Sequence, residues 1–206
     1  MTEASPKAAR LTLLTALVGL LLGGTGLFLG VGEGVLALWG FGAACLLQVA
    51  PALSLHGRIR DGLGNSGLER ERLTLRWVSV LLRFLALGLA MAAVSALLGE
   101  RSPQASLELQ GLSVFAVLIL TALWQAKTGL KGAHPSIDQE ADRNLVLVEL
   151  AALLLVGCVL ARWFVWADAV CALAQALWLF WTGQGMAKLS ALPPARGGCG
   201  GSCSCG

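Results

Sequence analysis

The chain has 206 residues, of which 56% are hydrophobic and only 13% charged, with a formal net charge of +3 and a mean hydropathy of +0.75. A soluble domain spends roughly a quarter of its residues on Asp, Glu, Lys and Arg, so this composition excludes an ordinary water-soluble globular protein. The small positive charge forms no basic patch interleaved with aromatics, which excludes nucleic acid as a partner.

The apolar residues come in runs long enough to cross a bilayer, whose hydrocarbon core of about 30 Å needs roughly 20 residues per helical crossing. In lipid the backbone must satisfy its own hydrogen bonds, and no barrel-type alternation is present, so the runs read as helices. The first, Leu11 to about Val31, is broken by Gly19, Gly23, Gly24 and Gly26. Lys7 and Arg10 flank it as in a signal peptide, but its length and the lack of a small-residue cleavage pattern predict a retained helix. Its glycines point to close helix packing. After Gly32-Glu33-Gly34, a second run extends from Val35 to about Leu55 with Cys45, Gln48 and Pro51. A polar loop, His56 to about Arg72, separates it from the third run, Leu73 to Leu98. Gly99-Glu100-Arg101-Ser102-Pro103 is a break. The fourth run, Leu109 to about Ala126, is followed by a polar loop from Lys127 to Arg143. The fifth covers Asn144 to Ala161 and the sixth about Ala167 to Ala187. The expected organisation is a segment 1–10, a six-helix membrane domain 11–189, and a flexible Cys/Gly-rich tail 190–206.

The loops after the second and fourth runs, together with both ends of the chain, hold nearly every Lys and Arg. By the positive-inside rule this predicts a six-transmembrane-helix bundle with both termini cytoplasmic, in the cell (inner) membrane. Trp77, Trp163 and Trp166 fall at expected helix ends, where amphipathic rings favour the interface. The expected fold class is therefore an all-α integral membrane protein with the lipid bilayer as its main partner.

Glu149 stands inside the apolar run from Leu145 to Val159, where an ionised carboxylate is expensive. It reads as a proton carrier or a metal ligand; the alternative is a neutral Glu bonded to a neighbouring helix or reaching water at the cytoplasmic end. Cys45 and Gln48, three apart, share a face of the second helix. A thiolate with a carboxylate suits soft or borderline metals, whereas the structural alternative is a Gln bridging helices and a Cys packing as a small apolar residue. Arg83, deep in the third run, either pairs with Glu149 or reaches along its stem toward the interface. Cys158 and Cys171 read as packing residues. In the tail, Cys199, Cys203 and Cys205 lie within seven residues, and three thiols on a flexible backbone can wrap a soft ion. Redox exchange and plain disorder are the alternatives there. No Ser-His-Asp, Walker or GxGxxG constellation is present, so no enzymatic activity and no permanently bound cofactor are expected.

Trp166-Ala167-Asp168-Ala169-Val170, then Ala172-Leu173, and later Trp181-Thr182-Gly183, resemble the sixth helix of the cation diffusion facilitator family of metal–proton exchangers. Ala141-Asp142 resembles that family's lead-in to its fifth-helix metal motif. The resemblance spans the membrane portion loosely and is most specific from Ala141 to Leu189. It implies pairs of ligands one helical turn apart on the second and fifth helices, which fall here on Ala44 and Gln48 and on Leu145 and Glu149. In the family four such ligands build a tetrahedral site for Zn²⁺ or a related ion; here Ala44 and Leu145 are apolar, Gln48 is an amide and Glu149 is the one carboxylate. The resemblance also implies a homodimer, although the family's cytoplasmic metal-sensing domain is not present in this sequence. Together these readings predict a proton-coupled metal cation exporter of alternating-access type, centred on Glu149, with the Cys tail delivering the ion. The alternative is a non-transporting membrane protein of the same ancestry whose tail senses or holds metal or binds a partner.

Overall fold

The computed structural model describes residues 4–61, 67–99, 106–130, 132 and 135–191. Among these, the regular elements are six α-helices: α1 (Ala4–Glu33), α2 (Leu36–Arg60), α3 (Leu68–Leu98), α4 (Leu107–Thr128), α5 (Pro135–Leu160) and α6 (Ala167–Ala191). They alternate in direction, so the bundle has two ends. One carries Asp168 and the α1–α2 turn; the other carries the ends joined as α2–α3 and α4–α5.

Five of the six, α1 to α5, are long and apolar enough to cross a membrane. The helix α6 is as long as α2, at 25 residues each. Gln175, Gln184 and the Trp and Gly residues around them leave it without a stretch as apolar as those of the other five. The apolar surface confirms the solvent: Phe28, Phe84, Met91 and Leu98 are each at least 68% exposed, a pattern that water penalises and lipid accepts.

The helices are longer than the apolar runs. The helix α2 continues past Leu55 to Arg60, and α3 begins at Leu68 rather than Leu73. The helix α5 begins at Pro135, nine residues before its apolar run; a proline suits the first helical position because its missing N–H is unneeded there. Pro51 does not interrupt α2. Much of both expected polar loops is thus helical, which keeps backbone groups satisfied while carrying charged side chains into the bundle end.

The helix α2 is the central one, packed against α1, α3, α5 and α6. Its contact with α1 is made by glycine. A Cβ at Gly42 would lie 2.6 Å from the backbone nitrogen of Leu27, and one at Gly30 would lie 2.7 Å from that of Trp39. Without side chains at these points the two backbones approach closely, the usual route to dispersion contacts in lipid. The turn between them closes at Gly34, with φ 70°. There Val35 N–H donates to the carbonyl of Gly30 at 3.1 Å, a left-handed helix stop that glycine adopts without strain. The helices α3 and α6 pair in the same way at Gly183, where a Cβ would meet the Ser79 carbonyl and Arg83 Cγ at 3.0 Å. The helices α4 and α5 form the third close pair.

Candidate functional site

Three groups of polar side chains are held inside this apolar frame. The first lies at the α2–α3 and α4–α5 end. Arg58, late in α2, is paired with Glu71, early in α3, and donates to Ser136 Oγ of α5 at 3.0 Å. Lys127, at the end of α4, meets Glu140 of α5 at 2.8 Å, and Arg143 meets the other oxygen of Glu140 at 3.0 Å. All five charged groups are buried. Both hairpins therefore use one device, a cation leaving and a carboxylate returning 13 positions later. Asn144, one helical turn beyond Glu140, donates to the Leu120 carbonyl at 3.0 Å and ties α5 to α4. His56 on α2 lies 2.9 Å from the Ala9 carbonyl and ties α1 to the same end.

The second group is at the opposite end. Asp168, in the first turn of α6, accepts from Leu36 N–H at 2.9 Å and Ala37 N–H at 3.1 Å. Val35, the residue before α2, supplies no side-chain cap. The carboxylate thus satisfies the orphan amides of a different helix and complements its positive dipole end. A cavity of 130 Å³ lies beside it, bordered by Gly34, Ser95 and Ala169.

The third group is between the ends. Gln175 of α6 is fully buried and donates to the Leu150 carbonyl at 3.1 Å. Its Oε1 faces Gly40, where a Cβ would approach to 3.2 Å. Glu149 is half-buried on the seam of α5 and α6 and accepts from Trp178 Nε1 at 2.9 Å. It has thus a neighbouring-helix partner, one of the alternatives its sequence position left open. Cys45 and Gln48 are buried within α2, at 0% and 8% exposure. Of the other two family-matched positions, Ala44 is buried and Leu145 half-buried. Among the described residues no three His, Cys, Asp or Glu side chains gather in a way that could hold a metal ion. Cys199, Cys203 and Cys205 lie outside the described residues. Arg83 turns back on its own helix, donating to the Ser79 carbonyl at 3.2 Å and toward Ser79 Oγ at 3.4 Å. Cys171 packs against Gly157, where a Cβ would meet its Sγ at 3.3 Å.

Arg58, Lys127, Glu140 and Arg143 fall in the segments expected as polar loops, and the structure buries all four. For Arg58 with Glu71 and Lys127 with Glu140 the signal was the repeated 13-residue spacing across the two hairpins; Arg143, three positions after Glu140, shares none of it. Asn144 and Gln175 were visible as polar residues at or within apolar runs, the residue type that bonds helices together in lipid.

Chemically, the charged end can hold four helix termini in register, and the Asp168 end can anchor α6 to α2. The Glu149–Trp178 pair can exchange a proton without losing its partner, because a carboxyl group accepts from the indole N–H in either protonation state. No protein-family model matches the chain and no curated protein matches it, so the likeness of the 141–189 segment to cation diffusion facilitators rests on the residues quoted for it.

Proposed function

We propose that the protein is a proton-coupled metal cation transporter of the membrane, similar in plan to cation diffusion facilitators. The observation that carries this reading is Glu149, a carboxylate held in the apolar part of α5 and bonded to the Trp178 indole. An intramembrane carboxylate kept at such cost is by default a functional group. In this reading Glu149 carries the coupled proton. Cys45 and Gln48 line the metal's route through α2, and Cys199, Cys203 and Cys205 collect a Zn²⁺ or softer ion at the cytoplasmic face. The helix α6 makes the sixth crossing, its Gln175 bonded to α5, and the charged end faces the cytoplasm across the cell (inner) membrane, in keeping with the positive-inside rule.

The engagement of Glu149 with α6 favours a second reading, that of a non-transporting membrane protein whose tail holds metal or a partner. Flux through reconstituted vesicles under a pH gradient separates the two. The transporter reading expects uptake or release of at least one of Zn²⁺, Co²⁺, Cd²⁺ or Cu⁺, abolished in Glu149→Gln and slowed in a truncation ending at Pro194. No flux of any of the four ions with the wild type removes it. Flux unchanged in Glu149→Gln removes the role of that residue.

A further inference from the structure

A cleft of 210 Å³ lies at the charged end where α3, α5 and α6 meet. Its apolar wall is Leu75, Val146, Met186 and Leu189; its polar positions are Gln139, Asp142, Arg143 and Thr182. Arg143 is the informative residue. It is 9% exposed, and its Nη2 bonds to Glu140, a carboxylate that already serves Lys127. One carboxylate for two cations leaves one positive charge over, at the wall of the cleft. The Nε of Arg143 is also buried with no hydrogen-bond partner among the described residues.

The surroundings add to that charge. On α3, Arg72 stands one turn before Leu75 and Arg76 directly after it; on α6, Lys188 stands one turn after Gly185, which also borders the cleft. Asp142 contributes the opposing charge at the rim. By the same measure Asp138 and Glu149 stand one turn from the lining residues of α5, so four cations face three carboxylates and the cleft keeps an excess of positive charge, while its wall is mostly aliphatic and Leu189 is 39% exposed. A soluble anion needs no such wall. A lipid headgroup does, because its acyl chains continue along the protein.

We propose that this cleft binds the phosphate headgroup of an anionic phospholipid from the adjoining leaflet. Arg143 supplies the fixed charge at its inner wall, Arg72, Arg76 and Lys188 stand within a turn of its lining residues on α3 and α6, and the first acyl carbons cover Leu75, Val146, Met186 and Leu189. Basic pockets between membrane helices at the interface recognise headgroups in this way. The site depends on the membrane location of the chain and is independent of whether it transports metal.

The test compares phosphatidylglycerol with phosphatidylcholine of identical chains, titrated into the purified full-length protein in neutral detergent and read by native mass spectrometry. Each basic side chain near a headgroup is worth about fivefold in affinity. The wild type is therefore expected to prefer phosphatidylglycerol by at least about fivefold, and Arg143→Gln to lose about that factor. The double variant Arg72→Gln/Lys188→Gln, at positions with no role in the buried triad, should lower the preference in the same sense. It decides the matter if Arg143→Gln does not fold. Equal binding of the two lipids by the wild type overturns the proposal, as does a preference unchanged in every folded variant. Displacement of phosphatidylglycerol by millimolar inorganic phosphate would assign the cleft to a small anion and overturn it too.

Discussion

At the Asp168 end the chain closes with backbone groups. Glycine turns α1 into α2, one carboxylate caps the first amides of α2, and little other charge is buried. At the opposite end it closes with side chains, burying three cations and two carboxylates to join α2 to α3 and α4 to α5. A capped helix terminus uses partial charges already present and needs one acceptor. A buried ion pair must first overcome the loss of water around both ions and succeeds only with close geometry and further hydrogen bonds. The charged end is therefore the more specific of the two and the more fragile to single changes. It fixes which helix returns beside which.

Glu140→Gln attacks that asymmetry most directly. It strands Lys127 and Arg143 without their shared counter-charge, and the expected loss is about 3–5 kcal/mol of stability, read by denaturant titration in micelles with circular dichroism. Glu71→Gln should fall at the lower edge of that range, about 3 kcal/mol, since Arg58 keeps Ser136 as a partner. At the other end, Asp168→Ala removes a cap and should cost about 1–2 kcal/mol. If it costs as much as Glu140→Gln, the contrast between the ends does not hold. Smallest is Trp178→Phe, which deletes one interhelical bond to Glu149 and should cost about 0.6 kcal/mol. A much larger loss there would make the α5–α6 seam a third structural anchor.

The number and order of helices were legible because a bilayer demands long apolar runs, and each run in the sequence became a helix. Their ends were not. Hydropathy reports where lipid ends, but a helix continues as long as its charged side chains find partners, as Arg58 and Lys127 do. Burial of Glu140 could not be read from its segment because its partners come from α4 and from its own next turn. The face of Glu149 was hidden for a different reason. In a membrane protein the interior and the lipid are both apolar, so helical periodicity does not reveal which side of α5 points inward. The resemblance puts Glu149 and Leu145 on one face of α5, and the packing of that helix leaves both half-buried.

By itself, then, the amino-acid order determined that this protein lives in a bilayer as a set of helices, and that its glycine-rich first helix packs closely, since runs of leucine and stripes of glycine act locally. Only the tertiary structure decided which charges meet and which carboxylate caps another helix. Those outcomes depend on how each helix is rotated about its axis, and that rotation is set by contacts between residues far apart in the chain.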